Sequence, residues 1–596
     1  MCWNTADARS AEQAEQIQEW INLTNKRADT QRAGPGLLFL NLSDAPASED
    51  VIELRDEPGA LSGIVFGRLF VRGDDTARSP PVSGLRADKA VRVIRSSGEE
   101  LFHRYWGSYA AFGVHDGKPW AVSDPLSSVP CFFRTESGVL LVFSHLERCP
   151  FLRNVRYTLN RDFISLILHY DKLQTGETCF QEIRELMGGE RLIASGSVAR
   201  TELLWDPRRI AAQTSRLAVA EAAELLGETT KASVASWAGL FDRARLNLSG
   251  GLDSSIVAAC LSACCPPDKI ELVHQVMEST DQSELPFARA TADHLGLNLN
   301  VELQSAQTGL PGLNTHPASA RPYRQFLAAA DAQKDGSPQM SPVFTGQGGD
   351  HLFFVARLAT VFADCLKLNG LSAETPERLL EAARLSGKSI WQVIREATHS
   401  LVTPVPASPL ARAVLDRRTA LNLSLPLSAE TLSGLPVWTR QPAGLPPAKF
   451  QQINLLAHLV HMRRPLPGRH PGEVIHPLMS QPLLELCLRI PTYQLAAGGL
   501  SRGLARLAFK DRIPDIVRER ITKGSAGRYY RSRTLSHRDE IASALLEGEL
   551  VARGILDRNA VAEFFARRED ERHNYGHMAL IYYTVEAWLR RWRDAG

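Results

Sequence analysis

The stretch SGGLDSS at 249–255 restricts this chain more than any other. It stands between RLNLS (245–249), a strand-like run, and IVAACLSACC (256–265), which has helical spacing. A helix N-terminus presents unpaired N–H groups and the positive end of a dipole, and both suit an anion. Gly250 and Gly251 let the backbone approach a phosphate with no Cβ in the way, and Ser249, Ser254 and Ser255 add hydroxyl donors. Asp253 would repel a phosphate unless a cation lay between them, so it reads as a Mg2+ ligand. The GxxxxGK[ST] pattern and its lysine are absent, which excludes a Walker A loop.

The surroundings suit that loop. Helix 218–238 leads to strand 245–249, helix 256–265, strand 270–277, helix 284–296, strand 298–304, helix 324–333 and strand 341–346. Strands alternating with helices imply right-handed crossovers and a parallel sheet. From about 352 onward the pattern is mostly helical, with proline-rich loops at 403–409, 436–447 and 464–472. The N-terminal part differs. Residues 1–35 are polar and poorly patterned, and short strand-like runs then follow at 37–42, 62–72, 109–116, 119–124, 129–133 and 138–144. With 596 residues, too many for one core, the prediction is an α/β protein of two domains, a β-rich sandwich over 1–206 and a parallel α/β sheet with a helical extension over 207–596.

Bulk properties narrow the function. A net charge of +2 gives no support to a nucleic-acid partner. No apolar run approaches the roughly 20 residues of a membrane helix. No signal-peptide core stands at the N-terminus, so a cytoplasmic protein with no membrane partner is expected. Nine scattered cysteines without zinc spacing read as reduced, mostly buried thiols.

A second polar cluster, TGQGGD (345–350), follows the strand at 341–346, and Asp350 is placed to share a metal with Asp253. SGGLDSS resembles the pyrophosphate loop of ATP pyrophosphatases. Taken with TGQGGD, HPLMSQPLLELCLRIP (476–491) and ARLAFKDRIPDIVRERITKGS (505–525), it resembles the synthetase domain of glutamine-dependent asparagine synthetase and its relatives. RYWGSYAAFGVHDGKPWAVSDPLSSVPCFF (104–133) is similar, more weakly, to their glutaminase-like (Ntn-type) domain. The departures matter. Cys2 is followed by Trp3 and a polar stretch, RDPxG has become SDPLS, and no RxxNGE-type run is present. The N-terminal domain therefore reads as a degenerate amidotransferase domain, and the amine must come with the substrate. IVFGRLF and FHRYWGSYAAF resemble the lasso-peptide macrolactam synthetases most closely. Where β-lactam synthetases place a tyrosine and asparagine synthetases a glutamate, this chain has Gln347, and His351 follows Asp350 where the family often has Glu.

The resemblance implies ATP and Mg2+, with a precursor core peptide as substrate and a leader peptidase and leader-recognition protein as partners. It implies that Ser249, Gly250, Gly251, Asp253, Ser254 and Ser255 cradle pyrophosphate. Val276 and Met277 line adenine, Thr345 and Gly346 lie beside the nucleoside, Asp253 and Asp350 hold Mg2+, and Lys523 stabilises the oxyanion. A peptide amine needs less help from a general base, whose identity the sequence leaves open, because an α-amine of pKa about 7.7–8.0 is partly neutral near pH 7. His274, His316 and His351 lie near the ligand edge, where packed or surface roles are the plainer reading. The residues also leave open an asparagine synthetase, a β-lactam-synthetase-like ligase, or a non-catalytic ATP-binding maturation partner.

Overall fold

The structure, a computed structural model, describes the chain apart from residues 25–29, 43–49, 154, 172, 174, 197, 278–283, 305–308, 328–341, 404–409, 411–433, 463–472, 523–526, 567–575 and 594–596. The fold is α/β, with a β-rich N-terminal region and a five-stranded parallel sheet in the C-terminal region.

The N-terminal region contains β1 (Thr30–Gly34), β2 (Leu37–Asn41), β3 (Val51–Arg55), β4 (Leu61–Val71), β5 (Tyr105–His115) and β6 (Lys118–Ser123). It continues with β7 (Phe132–Glu136), β8 (Val139–Phe143), β9 (Arg184–Glu185), β10 (Glu190–Ser195) and β11 (Val198–Leu203). One antiparallel sheet runs β11-β10-β6-β5-β4-β3. The hairpin β1-β2 and the set β8-β7-β9 face it, and Cys2 joins them through backbone bridges to Leu37 and Leu140. Side chains alternate along a strand. On β5, Ala110 and Phe112 point into the dry layer between the sheets, with Ile64, Leu140, Leu192 and Cys2. Tyr109 and Ala111 point the other way, into the main core. Cover on both faces explains why these strands read as apolar runs.

The sequence missed some elements here. A helix spans Ala8–Thr24, where only a narrow stripe of Ser10, Ala14, Ile17 and Ile21 is buried among charged and polar residues. The run at 129–133 becomes a strand only from Phe132, because Asp124 accepts from the amides of Leu126 and Ser128 and ties the preceding residues into a turn.

In the C-terminal region β12 (Ala244–Asn247), β13 (Ile270–Met277), β14 (Leu299–Gln304), β15 (Val343–Thr345) and β16 (Val474–Ile475) are all parallel, in the order β14-β13-β12-β15-β16. β16 had no sequence signal, since two residues are too few for a pattern. The helix after β12 spans Leu252–Cys264, earlier than the apolar run suggested, because Gly251 serves as its N-cap and Asp253–Ser255 fill its first turn. Helix Leu285–Leu295 links β13 to β14. The helix expected at 324–333 lies mostly outside the described residues, of which Arg324–Leu327 form a short 3-10 turn. No described helix is long and apolar enough to cross a membrane.

Two clusters join the regions. Trp106 of β5 stacks on Phe70 at 4.4 Å, and Trp237, at the end of helix Val219–Ala238, meets both edge-on. Glu485 of helix Gln481–Arg489 accepts from Arg72 (2.5 Å), Trp205 (3.0 Å) and Gln481 (2.8 Å). Burial opposes ionisation of Glu485, but those donors override it and hold its carboxyl below the ordinary value. A cavity of about 560 Å3 remains at this seam, lined by Phe39, Phe66, Phe112, Trp237, Glu473 and His476 among others.

Candidate active site

The strand order places the site. From central β12 the chain moves outward to β13 and β14, then returns to the other side of β12 as β15. Where the direction reverses, the chain connections run to opposite sides of β12, and the crevice outside the carboxyl ends of the strands there is where an open parallel sheet binds ligands. The loop leaving β12 is SGGLDSS and the loop leaving β15 is GQGGD, so both motifs reach one crevice.

The first loop is tightly folded. Gly250 has φ +80, and a Cβ there would lie 2.4 Å from the Glu284 carbonyl oxygen, so only glycine fits. The Ser249 and Ser254 hydroxyls meet at 3.0 Å, and the Gly251 amide donates to Ser249 Oγ. Ser255 N makes an early helical bond to Gly251 O, which leaves the Leu252, Asp253 and Ser254 amides in the orphan first turn. Ser255 itself is fully buried, and its hydroxyl bonds Gly251 O and Thr291, tying the loop helix to helix Leu285–Leu295.

The second loop lies directly against the first. A Cβ on Gly346 would come within 2.4 Å of Ser254 N, and one on Gly349 within 2.5 Å of Asp253 Cγ. The glycines of TGQGGD therefore permit backbone-to-loop contact. Thr345 Oγ1 is 2.6 Å from His476 Nδ1 and accepts from the Gln347 amide, while Gln347 is exposed at the rim. Val276 is buried near the end of β13, and Met277 is the last residue of that strand, beside Gln304.

Asp253 and Asp350 are brought together by a residue the sequence reading missed. One nitrogen of Arg502, Nη1, donates to Asp253 Oδ2 at 3.0 Å and to Asp350 Oδ1 at 2.9 Å. Arg502 is 8% exposed, so the guanidinium lies in the protein rather than in solvent. Two carboxylates sharing one cation fit a magnesium ion, which takes one or two carboxylates and completes its shell from phosphates and water. Among the described residues no cluster of three or more His, Cys, Asp or Glu side chains could hold a metal.

Arg506, one turn on, donates to the carbonyls of Ser501, Arg518 and Arg520. Burial and the neighbouring Arg502 cation bring its guanidinium down to about 10. Arg520 pairs with Glu284 at 2.5 Å and lies 3.9 Å over the Phe287 ring. The segment that precedes Lys523 is thus fastened beside the first loop, and Lys523 itself lies outside the described residues. A signal for the arginines was available. In LSRGLARLA, two arginines four apart stand in an otherwise apolar run, a spacing that puts two cations on one buried face.

The histidines are packed. His274 Nδ1 lies 2.7 Å from Leu248 O. His316 Nε2 accepts from the Tyr323 amide and Nδ1 donates to Pro317 O, which fixes a neutral ring, and burial drives its pKa down to about 4. His351 lies edge-on to His458 at 6.1 Å.

Cys2, in the other region, has none of this openness. It is 0% exposed between Leu37 and Leu140, its amide and carbonyl both bonded to Leu140, and burial pushes its thiol up to about 11. Asp124 of the SDPLS turn is spent on backbone amides and on the Ser128 hydroxyl.

No curated protein matches the chain. A solved glutamine-dependent NAD+ synthetase from Acinetobacter baumannii in complex with adenosine diphosphate is similar at 12% identity over 52% of this chain and 81% of that chain. Its TM-score of 0.17 is too low to carry any argument. Residues 243–590, more than half of the chain and the whole of the crevice, match the family described as asparagine synthase, and the chain belongs to that family of ATP-using carbon–nitrogen ligases.

Proposed function

We propose that the protein is the macrolactam synthetase of a lasso-peptide pathway. It activates an Asp or Glu side chain of a core peptide as an acyl-adenylate and closes an amide with the peptide's N-terminal amine. The observation that carries the reading is the burial of Cys2, which keeps the thiol at the chain's second position from attacking glutamine to release ammonia. The amine must then be part of the substrate, as the RYWG resemblance also implies.

In the first step a substrate carboxylate oxygen bonds the α-phosphorus of ATP, and the bond from that phosphorus to the bridging oxygen breaks, releasing pyrophosphate. The first-turn amides at 252–254 and the hydroxyls of Ser249 and Ser254 are the donors that hold the departing phosphates. A magnesium ion, when bound, offsets charge on the phosphoryl oxygens. Asp253 and Asp350 hold it. In the second step the amine nitrogen bonds the acyl carbon, the bond to AMP breaks, and the amine's proton passes to solvent. Lys523 stabilises the oxyanion. Exposed Gln347 is not a base, so catalysis rests on holding the amine against the activated ester. A leader peptidase and a leader-recognition protein are the expected partners.

The test is mass spectrometry of a core peptide incubated with the protein, its maturation protease and Mg-ATP. Loss of one water from the peptide with one AMP released supports the proposal. Asparagine made from free aspartate and ammonia, with no dehydrated peptide, returns the chain to the ordinary synthetases.

A further inference from the structure

Arg502 occupies the place where the two carboxylates demand a cation. We propose that it is a built-in counter-ion. It holds Asp253 and Asp350 together before nucleotide arrives, excludes a bare divalent metal from them, and transfers to phosphate when metal and polyphosphate enter as one complex. The inference rests on the reading that these carboxylates hold the metal.

Three observations carry it. The first is position. A single nitrogen contacts both carboxylates at 3.0 and 2.9 Å, so a metal ion bound to the same two oxygens would stand where that nitrogen stands. At 8% exposure the guanidinium has little solvent to screen it, and two cations cannot share the space.

The second is where the side chain is anchored. The Arg502 backbone stands at φ +58, a left-handed conformation that arginine rarely adopts. Its amide donates to Phe354 O, just past the second loop, and the residue caps helix Gly503–Ala508. A Cβ on the next residue, Gly503, would lie 2.0 Å from Ala497 O, so the turn is packed closely against that carbonyl and admits no side chain at 503. The backbone is therefore set, and only the side chain is left to move.

The third is unspent donor capacity. Arg502 Nε is buried with no hydrogen-bond partner among the described residues. A phosphate offers the bidentate acceptor that a guanidinium prefers. The carboxylates attract metal and the arginine attracts phosphate, so a metal–nucleotide complex satisfies both while either component alone leaves one of them unmatched.

Electron paramagnetic resonance of Mn2+ tests this without turnover. Wild-type protein with Mn2+ alone should show little bound metal. Adding α,β-methylene-ATP should produce a bound signal. Arg502→Met should bind Mn2+ without nucleotide about tenfold or more tighter than wild type, the scale expected when one charge is removed a few ångströms from another. Arg502→Lys, which keeps a cation, should stay close to wild type and checks that the effect is one of charge rather than misfolding. Equal Mn2+ affinity in wild type and Arg502→Met would overturn the proposal, as would tight binding by wild type without nucleotide. Asp253→Asn separates the underlying reading. If nucleotide-dependent Mn2+ binding survives that change, the carboxylate is not a metal ligand and the reading of the site fails, whatever Arg502 does.

Discussion

Two residues with reactive side chains, Cys2 and Asp253, stand beside strands in the two halves of this molecule, and their surroundings differ completely. Cys2 is bridged on both sides, to Leu37 and Leu140, and capped by a second sheet. Asp253 follows the end of a central parallel strand, at the point where the strand order reverses. The strands bonded on either side of Cys2 leave a ligand no route to its thiol. A parallel sheet always leaves its carboxyl edge open, and a reversal of order widens it. The difference lies in topology more than in residue type.

That contrast can be broken by experiment. The largest expected effect is at the open end: Asp253→Ala should lower ATP–pyrophosphate exchange by about a hundredfold to a thousandfold, the scale of a lost charge-stabilising group. An undiminished exchange rate would remove Asp253 from the chemistry. Next is the seam between the halves. Arg72→Met leaves Glu485 buried without its main counter-ion and should cost about 3–5 kcal/mol in denaturant unfolding. A smaller loss would mean that Trp205, Gln481 and Arg489 suffice. Gly349→Ala forces a methyl against Asp253 and should cost about 1–3 kcal/mol, with nucleotide affinity falling more than stability.

Acid should weaken the folded state through His316. Its folded pKa, about 4, lies below the ordinary 6.5, so the unfolded chain takes up a proton that the folded chain refuses. Stability is then full above pH 6.5 and declines as pH falls from 6.5 toward 4. The slope over that window should flatten in His316→Gln, and an unchanged slope would clear His316. The smallest effect is at the closed end. Cys2→Ala should leave exchange unaltered, cost about 1 kcal/mol or less, and change nothing in native iodoacetamide labelling of that site. A loss of ligase activity supported by glutamine would reopen the reading of the N-terminal half.

Much of this is legible in the amino-acid sequence. The loop SGGLDSS and the strand–helix alternation around it carried enough local signal to place β12, β13, β14 and β15 and the helices that follow β12 and β13. Signals of a different kind were lost. Helix Ala8–Thr24 buries too thin a stripe to stand out, and β16 is only two residues long. The meeting of Arg502 with Asp253 and Asp350 joins residues 249 and 152 positions apart, a coincidence in space that no local window contains. Ser255 looked like its neighbours in sequence, but helix geometry turns it inward to Thr291 while Ser254 stays with Ser249.

The aromatic seam has a bearing on truncation. Phe70 and Trp106 of the sandwich pack on Trp237, seven residues before β12, and Ser236 on the same helix accepts from the Ser79 amide. A gene shortened to its ligase portion would lay that tryptophan bare beside the strand that launches SGGLDSS. The N-terminal region therefore shields part of the framework on which the ligase site is built, whatever chemistry of its own it has.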